Sequence, residues 1–131
     1  LIVAALAAAQ LAELHGLAGE LGMAALVEVH TADELDTALA LRPGLVGINA
    51  RNLHDFSVSL ETTRDLARRV PRAVCLVAES GIHTADDVAW LGQAARADVG
   101  QGVDAILVGE ALVTAPDVAA KVRELSSAGG T

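Results

Sequence analysis

Short apolar runs rich in valine, isoleucine and leucine alternate along this chain with longer segments of helical pattern. Five of these runs predict β-strands, at residues 1–6, 24–30, 45–48, 73–78 and 104–108, each followed by a predicted helix. Successive strand starts are 21 to 31 residues apart, which is the length of one strand–loop–helix unit. Alternation of this kind is typical of parallel strands joined by right-handed crossovers. The order of elements therefore predicts an α/β fold built on parallel strands.

The composition is that of one globular domain. A chain of 131 residues with 53% hydrophobic residues is long enough to bury a core. Acidic residues outnumber basic ones by 17 to 9, and the net charge of −8 disfavours nucleic acid and anionic lipid as partners. The apolar runs are well short of the ~20 residues of a membrane-spanning helix. We assign residues 1–125 to the domain and the Ser/Gly-rich residues 126–131 to a flexible tail.

Cysteine usage bears on the compartment. The single cysteine, Cys75, cannot form an intramolecular disulfide and lies in an apolar run. We therefore expect a buried structural thiol and a reducing, cytoplasmic environment.

Several residues carry local signals for the ends of helices. Thr31 and Glu34 have the spacing of a capping box, and Thr84 with Asp87 has the same spacing with a shorter acid. Gly22 is placed to end the first helix in a left-handed conformation.

One carboxylate interrupts the second predicted strand. Parallel strands bring their carboxyl ends together at the edge of the sheet where ligands bind. Alternation places Leu26, Glu28 and His30 on one face of this strand. A carboxylate among β-branched residues is costly unless it is paired or used, so Glu28 is either a functional acid or a satisfied structural one. His30 has two interpretations as well, as a functional group or as a hydrogen-bonding residue of the loop.

The third predicted strand ends with an amide and a guanidinium on one face. Asn49 can form neutral hydrogen bonds, and Arg51 suits a phosphate or carboxylate group. The pair is suited to holding an anionic substrate. The alternative is an asparagine-rich turn beside a solvated arginine.

The last two predicted strands end in glycine-bearing junctions with helices. Glu79 ends an apolar strand before Ser80 and Gly81, and Gly109 and Glu110 follow the final strand. Glycine lets backbone N–H groups approach an anion closely. Two adjacent junctions of this kind predict the phosphate site that barrels form after their seventh and eighth strands, so the five strands are numbered four to eight.

Taken in order, five segments resemble one enzyme family. The segments LIVAAL, LVEVHTADEL, GINARNLHDFSVSLETT, VAESGI and DAILVGEALV resemble the second half of indole-3-glycerol phosphate synthase over essentially the whole chain. The GINARNL stretch, followed by Phe56 and LETT, is the most specific of them. The resemblance implies an incomplete (β/α)8 TIM barrel of five units. It also implies a lyase of tryptophan biosynthesis that closes the indole ring of 1-(2-carboxyphenylamino)-1-deoxyribulose 5-phosphate and releases carbon dioxide and water.

The same resemblance implies a role for each candidate residue and a small phosphorylated substrate as partner. Glu28 is the acid/base near the condensing ring, Asn49 orients the substrate, and Glu79 tunes the electrostatics of the site. The remaining residues bind substrate: Leu53 and Phe56 near its aromatic part, and Arg51, Ser80, Gly81, Gly109 and Glu110 at its phosphate. No metal and no organic cofactor is implied.

The family's principal general acid is a lysine on an earlier strand, whereas the only lysine of this sequence is Lys121 in the final predicted helix. We therefore expect the isolated chain to be nearly inactive. Five strands leave two open edges, so we also expect it to self-associate or to be completed by an N-terminal barrel segment. Two other functions stay open: another phosphate-binding TIM-barrel enzyme, and a non-catalytic, degenerate half-barrel that acts as an assembly module.

Overall fold

The computed structural model describes residues 1–52, 55–93 and 102–128. Four strands in those residues form one parallel sheet in the order β1-β2-β3-β4, namely β1 (Val27–Val29), β2 (Leu45–Asn49), β3 (Cys75–Glu79) and β4 (Ala105–Leu107). The helices between and after them are α1 (Ala8–Glu20), α2 (Ala32–Ala40), α3 (Leu60–Ala67), α4 (Ala85–Gly92), α5 (Glu110–Val113) and α6 (Val118–Ser127). Because strands adjacent in the sequence are also adjacent in the sheet, the order is that of part of a TIM barrel. The predicted α/β class with parallel strands is confirmed.

The first predicted strand, residues 1–6, is wrong beyond its second residue. Ile2 forms an isolated parallel bridge with Glu28, and the N–H of Glu28 donates to the carbonyl of Leu1 at 2.8 Å. The chain then turns through a 3-10 helix, Val3–Ala5, which buries Val3 and leads into α1. Only the first two residues therefore extend the sheet beside β1.

Strand alternation separates an apolar face of the sheet from a polar one. The apolar face carries Val46, Ile48 and Leu76, which are fully buried against α2 and α3 together with Leu35 and Leu66. Burial of one such side chain stabilises the fold by about 1.5–3 kcal/mol. The opposite face is therefore the one on which the polar residues of the strands meet.

The predicted helix ends are confirmed. The Thr31 hydroxyl accepts from the N–H of Glu34 at 3.2 Å, while the Glu34 carboxylate accepts from the N–H of His30 at 2.7 Å. Thr84 and Asp87 form the reciprocal capping box of α4. Gly22, with φ of +67°, follows α1 in the left-handed conformation.

The expectation that Cys75 is a buried thiol is wrong. Cys75 is exposed, because the buried Leu76 faces the helices and alternation turns its neighbour to the opposite face. The division into a domain of residues 1–125 and a flexible tail stays a prediction, since α6 includes Ser126 and Ser127 and residues 129–131 lie outside the described residues. No helix within the described ranges is both long and apolar enough to cross a membrane.

Candidate active site

Three polar side chains of the predicted site meet on the polar face of the sheet. Asn49 pairs with Glu79 in the register of β2 and β3, and Glu28 of β1 pairs with Gly47 of β2. Asn49 is 8% exposed and Glu79 is 6% exposed, whereas Glu28 is half-buried. The carboxyl ends of three neighbouring strands thus bring two carboxylates and one amide together.

The amide of Asn49 is held at both of its ends. Its Oδ1 accepts from the backbone N–H of Arg51 at 2.9 Å, and its Nδ2 donates to Oε1 of Glu28 at 2.7 Å. Because a backbone N–H can only donate, the amide oxygen must face Arg51 and the amide nitrogen must face Glu28. Asn49 therefore orders the Glu28 carboxylate with a neutral donor.

Glu79 is the buried carboxylate of the site. Its Oε1 has no hydrogen-bond partner among the described residues. Burial and, to a smaller extent, the negative charge of Glu28 raise the pKa of Glu79 to about 7, while the amino group of Leu1 acts in the opposite direction. A carboxyl group with this pKa is present in both protonation states near neutral pH, so it can give or take a proton.

A pocket of about 210 Å³ lies between the turns that follow β3 and β4, and its lining includes Ser80, the residue after Glu79. Four of the predicted phosphate-binding residues line it, together with the side chain of Arg51: these are Ser80, Gly81, Gly109 and Glu110. The predicted pairing of the two glycine junctions with Arg51 is therefore present in the geometry.

The two glycines of this pocket are there for different reasons. Gly81 has φ of +72°, directly after Ser80 with φ of +65°. A β-carbon on Gly81 would lie 2.6 Å from Cγ1 of Val58, so space and backbone conformation both favour glycine. Gly109 has φ of −121°, and a β-carbon there would meet no atom within 4 Å. Because it has no side chain, Gly109 leaves the pocket open at the N-terminus of α5.

An ion pair spans the pocket. Nη2 of Arg51 lies 3.0 Å from Oε2 of Glu110, and these side chains are 33% and 63% exposed. Exposed pairs of this kind contribute about 0–1 kcal/mol, so an incoming anion can displace the carboxylate at little cost. Sequence reasoning gave Glu110 a part only through its backbone N–H and missed this side-chain contact.

Of the two residues predicted near the aromatic part of the substrate, Phe56 is described by the structure, and it does not line the pocket. Phe56 has φ of +60°, is 66% exposed and is absent from the pocket lining. Leu53 lies outside the described residues. Their predicted role stays a prediction.

Three residues acquire a place in the site only in the structure. Nδ1 of His30 lies 2.7 Å from the carbonyl of Asn49 and donates to it, which favours the loop hydrogen-bonding interpretation of this histidine. His83 lines the pocket. Gly47 lies under the carboxylate of Glu79. A glycine within an apolar strand is a sequence signal for the close approach of another group to the backbone. In the described part of the chain, no three His, Cys, Asp or Glu side chains are grouped as a metal site requires.

Comparison with known proteins identifies the family. The family model for indole-3-glycerol phosphate synthase matches residues 1–125. This chain belongs to the indole-3-glycerol phosphate synthase family. Its relatives of that name include proteins of Roseiflexus castenholzii, 58% identical over 127 residues, and Chlorobium limicola, 50% identical over 118 residues.

The matched region covers most of this chain and less than half of its relatives. The match takes in 95% of this chain and 45% of the Roseiflexus castenholzii synthase, and 90% and 43% for that of Chlorobium limicola. A crystal structure of the Amycolatopsis orientalis BexX/CysO complex aligns with a TM-score of 0.68 and 19% identity, over 94% of this chain and 48% of that one. At that identity the likeness supports the fold alone. The family assignment rests on the sequence matches.

Proposed function

We propose that this chain supplies one part of the active site of an indole-3-glycerol phosphate synthase. The substrate is 1-(2-carboxyphenylamino)-1-deoxyribulose 5-phosphate, and the products are indole-3-glycerol phosphate, carbon dioxide and water. The observation that carries the proposal is the placement of Glu28, Asn49 and Glu79 on one sheet face, beside a pocket lined by Arg51 and the two glycine junctions.

The two carboxyl groups suit the proton transfers of this reaction. Ring closure joins an aromatic carbon to the ketose carbonyl carbon, and the carbonyl oxygen takes up a proton. Carbon dioxide then leaves the aromatic carbon. The new hydroxyl group takes up a second proton and leaves as water, while the neighbouring CH2 carbon gives up a proton as the double bond of the indole forms. Glu28, ordered by the amide of Asn49, serves as acid/base beside the ring. Glu79, with a pKa of about 7, can hold a proton on the same face of the sheet at neutral pH.

The phosphate of the substrate is assigned to the pocket between β3 and β4. Ser80 and Gly81 adopt consecutive left-handed conformations there, and both residues line the pocket. The guanidinium of Arg51 offers a charge-assisted contact from the other side. The pocket thus provides a cationic donor in a chain whose net charge is −8.

The general-acid lysine that the family resemblance implies has no counterpart in this sequence. Lys121 is in α6, where its Nζ donates to the carbonyl of His83 and to the carboxylate of Glu124. Because general acid–base catalysis by one positioned group contributes typically ~10²–10⁴-fold, we propose that the isolated chain is nearly inactive.

The proposal is tested with a hybrid enzyme, in which this chain is joined to the part of the Roseiflexus castenholzii synthase that lies outside the matched region. We expect the hybrid enzyme to form indole-3-glycerol phosphate, measured by the appearance of indole absorbance, and the isolated chain to form almost none. A hybrid enzyme that folds cooperatively but forms no product contradicts the proposal and favours the non-catalytic module.

Two further expectations concern the cellular location of the protein and the self-association of the isolated chain. The cytoplasmic location expected of a biosynthetic enzyme with one free cysteine stays a prediction. Self-association of the isolated chain does too. It is supported by β4, which within the described ranges pairs only with β3 and leaves Leu107 49% exposed.

Replacing Glu110 with glutamine is expected to tighten the binding of phosphate to the isolated chain. The carboxylate competes with an anion for Arg51, so its removal should raise the affinity for inorganic phosphate or glycerol 3-phosphate by about three- to tenfold, roughly 0.7–1.4 kcal/mol. Isothermal titration calorimetry measures the affinity.

The matched control is Glu61→Gln, which removes the same charge from an exposed position in α3. Arg51→Gln should weaken binding in parallel. Equal effects of Glu110→Gln and Glu61→Gln would contradict direct competition at the pocket.

A further inference from the structure

Gly47 occupies the centre of the polar face of the sheet. In the register of the strands it lies between Glu28 of β1 and Val77 of β3. Glu79 follows Val77 on the same face, and its side chain leans back across β2 so that its carboxylate lies over Gly47. The carboxylate therefore occupies the position that a side chain at residue 47 would fill.

The contacts of a hypothetical β-carbon show how closely the two residues fit. Such an atom would overlap Oε1 of Glu79, lie 2.8 Å from its Cδ and lie 3.2 Å from Cδ1 of Leu26. The first two contacts belong to a carboxylate that is itself 6% exposed. Because both atoms belong to the end of a flexible side chain, a side chain at residue 47 would push the carboxylate out of this buried position.

The backbone at residue 47 does not need glycine. The positive-φ glycines of the described residues are Gly22 and Gly81, so Gly47 has a φ that any residue can adopt. Glycine inside a strand costs about 0.5–1 kcal/mol relative to alanine. The space taken by the Glu79 carboxylate is the feature of the fold that accounts for glycine here.

We propose that Gly47 is a positioning residue for Glu79. Because glycine has no side chain, residue 47 leaves a recess in the sheet. The Glu79 carboxylate lies buried in this recess, next to Glu28. The importance of this placement for catalysis rests on the proposed function, whereas the placement itself can be tested without any activity.

The recess also sets the electrostatic environment of Glu79. Burial and the negative charge of Glu28 together raise the pKa of Glu79, and the amino group of Leu1 lowers it. Both raising factors depend on the carboxylate remaining over Gly47. A carboxylate displaced toward solvent should recover a pKa near its ordinary range.

A double-mutant cycle on the full chain tests the proposal through urea unfolding. Gly47→Ala is expected to lower the urea midpoint by about 1 M, because it overpacks the recess. In the Glu79→Ala background, the same change should leave the midpoint unaltered or raise it, since alanine suits a strand better than glycine. Gly44→Ala is the matched control, because a β-carbon there meets no atom within 4 Å.

Two outcomes would overturn the proposal. One is an equal fall of the midpoint in both backgrounds, which would assign the effect to the backbone or to Leu26. The other is an unfolded Gly47→Ala variant that Glu79→Ala does not rescue. If the single variant unfolds and the double variant folds, the proposal is supported.

Carboxyl NMR titration of Glu79 reports directly on whether its carboxylate stays buried over Gly47, with Gly44→Ala as the control. The pKa of Glu79 should fall in folded Gly47→Ala, and an unchanged pKa would contradict the recess. A positive cycle together with an inactive hybrid enzyme would overturn the proposed function and leave the role of Gly47 intact. An active hybrid enzyme, together with an equal fall of the urea midpoint in both backgrounds, would support the proposed function and overturn the role of Gly47.

Discussion

Replacing Glu28 with glutamine in the hybrid enzyme is expected to lower kcat by about 10²–10⁴-fold. Glutamine keeps the size of the side chain, and its amide oxygen can still accept from Nδ2 of Asn49, so the local geometry is preserved. What is lost is the ability to give and take a proton beside the condensing ring. Steady-state kinetics with 1-(2-carboxyphenylamino)-1-deoxyribulose 5-phosphate measure the loss.

The effect should fall on kcat more than on KM, because a group that acts mainly in the transition state contributes little to ground-state binding. Glu13→Gln, an exposed acid in α1, is the matched control and should leave both parameters unchanged. A Glu28→Gln enzyme with nearly full kcat would assign Glu28 to the structure of the sheet, which is the other interpretation that its sequence position allows.

The free energy of unfolding of the chain should contain a pH-dependent contribution from Glu79 of roughly 3 kcal/mol, at about 1.4 kcal/mol for each unit of pKa difference. The folded-state pKa of about 7 is higher than the ordinary value of 4.5. Between these two values the folded state holds the proton more tightly than the unfolded state. The contribution of Glu79 is therefore fully favourable below pH 4.5 and is lost as the pH rises toward 7.

Other carboxylates act in the opposite direction, so the measurement is a difference between two proteins. Hydrogen bonds from Ser57 lower the pKa of Asp55, and a hydrogen bond from Lys121 lowers that of Glu124. Subtracting the urea-derived free energies of Glu79→Gln from those of the unaltered chain at each pH removes these contributions. The difference should decline from pH 4.5 to pH 7, and a flat difference would contradict the raised pKa.

Strand positions and the polar residues at their ends could be predicted from the sequence. Glu28, Asn49 and Glu79 follow or interrupt apolar runs, and the carboxyl ends of parallel strands meet at one edge. Period-two alternation is a local property of the chain, so it predicted which residues share a face without reference to any other element. The same holds for the caps at Thr31 and Thr84, where both partners lie within one helical turn.

Only the tertiary structure decided how these residues contact one another. The recess of Gly47 depends on Glu79, 32 positions later, and the partner of Arg51 is Glu110, 59 positions away. The local pattern likewise missed the end of the first predicted strand at Ile2, where a 3-10 helix follows. Local patterns report the face and the element of a residue. Contact between distant side chains depends on strand register and on the path of each side chain in space, which no local pattern encodes.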